Sequence, residues 1–177
     1  QVTDVNGCIV DTTVVVNGSA NLLASGQATD NACASGSDGT IDLSVLNGTA
    51  PYSFAWSNGA TSEDLSGLAE DTYTVTVADA NGCSWNGSFT ITAPLPISVD
   101  STVYVYSNGY NLSANGSDNG IITVSPAGGT APYTYAWSNG ATAASVNGLA
   151  AGTYTVLITD ANGCTLLLTF TLDQPTS

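Results

Sequence analysis

The sequence predicts an all-β chain of tandem Ig-like antiparallel β-sandwich repeats, and three observations predict it: a near-exact internal duplication, apolar residues alternating with a period of two, and regularly spaced turn signals. GTAPYSFAWSNGAT, from Gly48 to Thr61, returns as GTAPYTYAWSNGAT from Gly129 to Thr142, 81 residues later and identical at twelve of fourteen positions. TYTVTVADANGC (Thr72 to Cys83) recurs as TYTVLITDANGC (Thr153 to Cys164), and VTDVNGC (Val2 to Cys8) is a third, truncated copy. A fixed period decides the architecture before any local reading. It divides the chain into residues 1–16, the end of a preceding repeat; 17–94, the first whole repeat; and 95–177, the second. The expectation is a stretch cut from a longer array, of the kind that serves reach, spacing and display.

Within the first repeat Ile41, Leu43 and Val45 alternate with small polar residues, as do Tyr52, Phe54 and Trp56; Tyr73, Val75 and Val77; and Phe89 and Ile91. The second repeat keeps the pattern as Ile122 and Val124; Tyr133, Tyr135 and Trp137; Tyr154, Val156 and Ile158; Phe170 and Leu172. Each strand so read has one face for a core and one for water. Asn58-Gly59, Asn81-Gly82, Asn139-Gly140 and Asn162-Gly163 punctuate the strands as hairpin turns. The segment Ala60 to Leu68 reads as a short turn or strand with Leu65 and Leu68 inward. The expectation is about seven short strands per repeat.

The core set is Trp56, Trp137, Tyr73, Tyr154, Phe89 and Phe170, by phase and by size. A Trp in step with two other aromatics of its strand is a core anchor, and Tyr73 and Tyr154, in GLAxxTY, read as tyrosine corners. Trp85, Leu166 and Val10 share the inward phase, whereas Leu167 is out of phase and expected at the surface. Ala93-Pro94-Leu95-Pro96 stiffens the passage between repeats, since two prolines cannot join a central ladder; the matching passage, Val16 to Leu23, has none.

Composition excludes much chemistry. The 177 residues contain no Lys, Arg, His or Met, and the fourteen charged residues are all acidic, for a net charge of −14. Without His there is no Ser-His-Asp or Cys-His couple and no imidazole metal ligand. Without cations the chain cannot neutralise phosphates, so nucleic acid is excluded as a partner, and anionic membrane surfaces are disfavoured. No apolar run is long enough to span a bilayer. Glu63 and Glu70, the pair with a superficial likeness to a glycosidase couple, are not kept in the second repeat, so no enzyme is read here. The absence of Lys and Arg leaves trypsin-like proteases no cleavage site, and uniform negative charge keeps sheet edges apart.

PYxxAWSNGAT, the TYTVxxxDANGC string and the acidic GSDG/GSDN openings resemble the SprB repeat of Bacteroidetes cell-surface adhesins. The resemblance covers nearly the whole chain. It implies an Ig-like stalk exported by type IX secretion, located outside the cell at the bacterial outer-membrane surface, and acting in adhesion or gliding filaments. The partners it implies are neighbouring repeats of the same chain or filament, with surface polysaccharide as the alternative ligand. The chain departs from the family pattern in its cysteines and in its lack of basic residues.

Four cysteines allow three pairings. Cys8, Cys83 and Cys164 follow the three DxNG turns, and Cys33 precedes GSDG, where the aligned residue of the second repeat is Ser113. Cys33–Cys83 within one repeat is the favoured scheme, and Cys8–Cys33 between repeats the other. The DxNG turns also echo the front of a calcium loop, making Asp79, Asn81, Asp160 and Asn162 candidate calcium ligands; the competing reading is an ordinary turn whose carboxylate holds backbone amides. No other cofactor is expected. Thr12 and Ser101, in D-S/T-x triplets, are candidate glycan acceptors. Tyr104, Tyr106 and Tyr110 are candidate outward aromatics for a carbohydrate-binding surface, and residues 1–16 carry a last strand that could pair with another chain.

Overall fold

The computed structural model describes residues 2–3, 9–10 and 21–176 and contains no helix among them. Two short strands, β1 (Val2–Thr3) and β2 (Ile9–Val10), pair with each other. Unit 1 follows with β3 (Leu23–Thr29), β4 (Gly39–Asn47), β5 (Ser53–Trp56), β6 (Leu65–Leu68), β7 (Asp71–Ala78) and β8 (Ser84–Ile91). Unit 2 repeats the order with β9 (Ser98–Val103), β10 (Gly120–Ala127), β11 (Thr134–Trp137), β12 (Ser145–Leu149), β13 (Gly152–Thr159) and β14 (Thr165–Leu172).

Each unit is a two-sheet antiparallel sandwich. Unit 1 has sheets in the order β3-β4-β6 and β5-β7-β8, and unit 2 the equivalent β9-β10-β12 and β11-β13-β14. This is the division of an Ig-like sandwich, in which the third strand leaves the first sheet to join the last two. Among the described residues there are six strands per unit rather than the about seven expected from spacing. The first of them was not visible in the apolar pattern, because LASGQAT offers no bulky alternation. It is held by its ladder to β4 from Leu23↔Asn47 to Thr29↔Thr40.

Ile41, Leu43, Val75, Val77 and Ile91 fill the first interior, and Ile122, Val124, Val156, Ile158 and Leu172 the second. Trp56 and Trp137 are buried, and each indole Nε1 donates to a backbone carbonyl at 2.9 Å, Ser62 O and Ala143 O respectively. Tyr73 is buried, while Tyr154, Phe89 and Phe170 are half-buried against their clusters. The hydroxyls of Tyr73 and Tyr154 donate to Ala69 O and Ala150 O, each at 3.1 Å. That is the bond geometry of a tyrosine corner. Leu65 and Leu68 both point into the core, and Leu167 is 61% exposed.

The Asn-Gly signals close their hairpins in a particular way. Gly82 N donates to Asp79 O and Asp79 N to Cys83 O, with the same pair of bonds at Gly163, Asp160 and Cys164. Gly59, Gly82, Gly140 and Gly163 have φ of 85, 82, 85 and 84°, and among the described residues only glycines have positive φ. Asn therefore stays right-handed and Gly alone takes the left-handed step, the three-residue turn with a glycine bulge.

Candidate functional site

The two units meet where the β3–β4 loop of unit 1 faces the β13–β14 turn of unit 2. Cys33 and Cys164 form a disulfide there, with Cα atoms 5.7 Å apart and 131 residues between them in sequence. The favoured Cys33–Cys83 pairing is thereby corrected. Thr92, just beyond β8, accepts from Asn31 N at 2.9 Å, so Cys33 sits near the end of β8, whereas Cys83 sits at its start. Eight strand residues put the two about 27 Å apart, and a disulfide cannot reach that far. Cys83 carries a free thiol. Cys8 lies outside the described residues.

Several further bonds pin the joint. Asn162 Nδ2 donates to Ala32 O across the units at 3.1 Å. Thr92 N donates to Asp30 Oδ1 at 2.8 Å, fixing the linker's start to the β3–β4 loop. Gly129 N donates to Leu95 O at 2.7 Å, fixing its end to unit 2. Pro94 and Pro96 limit what lies between. A crevice of ≈ 420 Å³ remains beside the bridge, lined by Ser35, Leu95, Ile97 and Leu166 among others.

The DxNG carboxylates are turn organisers. Asp79 Oδ1 accepts from Asn81 N and Cys83 N, each at 2.9 Å, and Oδ2 from Thr49 N at 3.1 Å. Asp160 does the same with Asn162 N, Cys164 N and Thr130 N, all at 2.9 Å. Burial pushes the Asp79 carboxyl up, but the amides of Thr49, Cys83, Asn81 and Gly82 outweigh it and hold the group below its usual value. At Asp160 the Thr130 amide is the largest influence and the net direction is again down. Asn81 and Asn162 turn their side-chain nitrogens to Thr49 Oγ1 (2.8 Å) and Thr130 Oγ1 (3.1 Å). Both carboxylate oxygens thus already hold amides, which is the turn reading rather than a calcium cradle. Among the described residues no three Asp, Glu, Cys or His side chains gather as a metal site.

The remaining candidates are dispersed. Ser101 is exposed on β9, and Thr12 lies outside the described residues. Tyr104 is 52% exposed and packs edge-on against Tyr106, with ring centroids 4.8 Å apart. Tyr106 is half-buried with its hydroxyl donating to Asn119 O at 3.0 Å, and Tyr110 is exposed nearby.

The structure also shifts one alignment. Matching GSD in the two openings pairs Cys33 with Ser113. The hydrogen bonds pair it with Ala114: Gly36 N donates to Cys33 O as Ser117 N does to Ala114 O, and Ala32 N donates to Asp38 as Ser113 N does to Asn119. The GSD triplet has slipped by one residue relative to the framework that holds the loop. What sequence reasoning missed was the direction of the bridge: the between-repeat scheme took Cys33 back to the preceding turn cysteine, Cys8, whereas Cys33 reaches forward to Cys164, and the signal was that cysteines at opposite ends of a repeat can meet only across a joint.

The family model of the SprB repeat matches this chain at two places, residues 25–61 and 111–142, one in each unit. No curated protein matches the chain. Among solved structures, the chain is similar to the three N-terminal domains of the highly immunogenic outer capsid protein (Hoc) of bacteriophage RB49, at 14% identity and TM-score 0.49, over 85% of this chain and 58% of that one. It is similar to the C-terminal 282-residue fragment of intimin, solved with the intimin-binding domain of the translocated intimin receptor, at 15% identity and TM-score 0.43, over 86% and 64%. A third is DIP-gamma IG1+IG2, at 12% identity and TM-score 0.45, over 90% and 99%. The chain spans less than two thirds of the length of the first two. The repeat points to a cell-surface, adhesin-type domain with a structural or adhesive role rather than an enzymatic one.

Proposed function

We propose that this chain is a stalk segment of a large secreted cell-surface adhesin, holding an adhesive tip away from the cell. The observation that carries this reading is the fastened joint. Two sandwiches joined only by a flexible linker would move independently; here a disulfide, an inter-unit hydrogen bond and a linker held at both ends fix one unit against the next. Fixed joints turn a string of domains into a rod, which suits extension. The SprB repeat supports placement outside the cell at the bacterial outer-membrane surface, and with it type IX secretion and service in gliding or adhesive filaments alongside neighbouring repeats. Immunogold imaging of native cells with an antibody against this chain tests the reading. Label along extracellular fibres supports it, and label confined to the cell interior contradicts it.

The second reading is a carbohydrate-binding surface module, favoured by the tyrosines at the far end of unit 2. Exposed rings of Tyr104 and Tyr110 offer apolar faces to sugars. Glycan-array binding that disappears in Tyr104→Ala/Tyr110→Ala would favour this module, and an array with no signal would leave the stalk alone.

A further inference from the structure

Cys83 and Cys164 occupy the same place in their units, yet only Cys164 is bonded. The equivalence is geometric: each cysteine amide donates to the turn aspartate at 2.9 Å, and each turn asparagine donates to a threonine of the facing loop. Asn162 makes one bond more, to Ala32 O of the unit below. The β7–β8 turn of unit 1 therefore presents the same docking surface as the β13–β14 turn of unit 2, without an occupant among the described residues.

The chain itself carries part of that occupant. Val2↔Val10 and Thr3↔Ile9 pair in the register of Ile158↔Leu166 and Thr159↔Thr165. The paired strands β1 and β2 thus correspond to the last two strands of a further repeat. The spacing of the joints agrees. Leu22 lies against Gly48 as Ile97 lies against Gly129, and each follows its upstream cysteine, Cys8 or Cys83, by 14 residues. A connection of equal length between equivalent elements is long enough for an upstream repeat to meet unit 1 as unit 1 meets unit 2.

We propose that Cys83 is the acceptor of a second inter-unit disulfide, formed with a cysteine in the first inter-strand loop of the repeat whose last strands are β1 and β2. This rests on the stalk reading, in which repeats follow one another end to end. The rule is that the turn cysteine of each repeat bonds the loop cysteine of the repeat before it. It also sets an end to the series: Ala114 stands where Cys33 would be, so unit 2 offers no thiol to whatever follows it. Bond formation removes two protons and two electrons from the two thiols, and oxidised glutathione takes them up as two molecules of reduced glutathione.

The test extends the full chain at its front with a copy of residues 21–75 placed directly before Gln1. This completes the upstream repeat and brings a second copy of Cys33 with it. After equilibration in a glutathione redox buffer, non-reducing peptide mapping should find the added cysteine joined to Cys83, beside Cys33–Cys164, with Cys8 left as a thiol. An added cysteine that stays free, or that joins Cys8, overturns the proposal. A second measurement avoids the composite repeat. A Cys8→Ser/Cys83→Ser/Ala114→Cys chain, mixed with a Cys8→Ser chain in the same buffer, should couple through Cys83 about tenfold faster than to itself, because docking raises the local thiol concentration. Equal rates would refute a docking surface at Cys83. Either failure leaves the imaging result untouched, and loss of extracellular label would leave the bridge chemistry standing.

Discussion

The β3–β4 loop of unit 1 and the β9–β10 loop of unit 2 cap the same end of the same sandwich, and they are built for different neighbours. Both hold the exit of their last strand in the same way: Asp30 accepts from Thr92 N at 2.8 Å, and Asn111 from Asp173 N at 3.0 Å. Beyond that shared clasp they diverge. Unit 1 places Asn31 in the core and sends Cys33 across the joint, whereas unit 2 places Leu112 and Ala114 at those positions and adds a longer loop bearing Tyr104, Tyr106 and Tyr110. The lesson is that the hydrogen-bonded frame is kept while a few side chains decide whether the end is fastened or free.

The largest test of this comparison addresses the independence of the two interiors. Trp56→Ala should cost unit 1 about 3–5 kcal/mol and Trp137→Ala should cost unit 2 as much. Because the clusters share no residue, each substitution should lower one calorimetric transition and spare the other once the bridge is reduced. Next in size is the bridge. Cys33→Ser should destabilise the chain by about 2–4 kcal/mol and separate one thermal transition into two; a melt unchanged by the substitution would mean that the joint contributes nothing.

A smaller effect is expected at Asn31, whose Oδ1 accepts from Asp38 N (2.9 Å) and Gly39 N (2.7 Å) while its buried Nδ2 has no partner. Asn31→Ala leaves two amides without their acceptor and should cost unit 1 about 1–3 kcal/mol in a urea melt; Leu112→Ala in unit 2 should instead act as a plain cavity mutation. The smallest effect is with pH. Asp30, Asp79 and Asp160 are held below the usual carboxyl value of 3.8, Asp30 chiefly by the Thr92 amide. A lowered folded value means that the stabilisation is complete above the unfolded value and drains as pH falls through the lower one. Unit 1 has two such groups and unit 2 one, since Asn111 replaces Asp30. Below about pH 4, unit 1 should therefore lose stability faster, and equal acid sensitivity of the two transitions would argue against these contacts.

Much of this fold was legible in the sequence because a half-buried strand writes its burial in every second residue. Ile41-Leu43, Tyr73-Val75-Val77 and their copies carried the sheets, and the repeat itself carried the plan. What stayed hidden lacked that signal. The first strand of each unit is small and polar, and its place depends on pairing with β4 or β10. The alignment of the two openings followed GSD, a surface triplet, whereas the loop is set by Asp30 and Asn111 clasping the next linker. The cysteine pairing was hidden for a different reason. Membership of one repeat does not make Cys33 and Cys83 neighbours, because the strands between them run the length of the sandwich and carry the two thiols to opposite ends.

The joint makes the chain a rod, and peptide mapping of the natively oxidised chain measures it directly. Chymotrypsin must replace trypsin, for the chain has no Lys or Arg. The fastened-rod account predicts a peptide carrying Cys33 bonded to Cys164, while a Cys33–Cys83 peptide would contradict it.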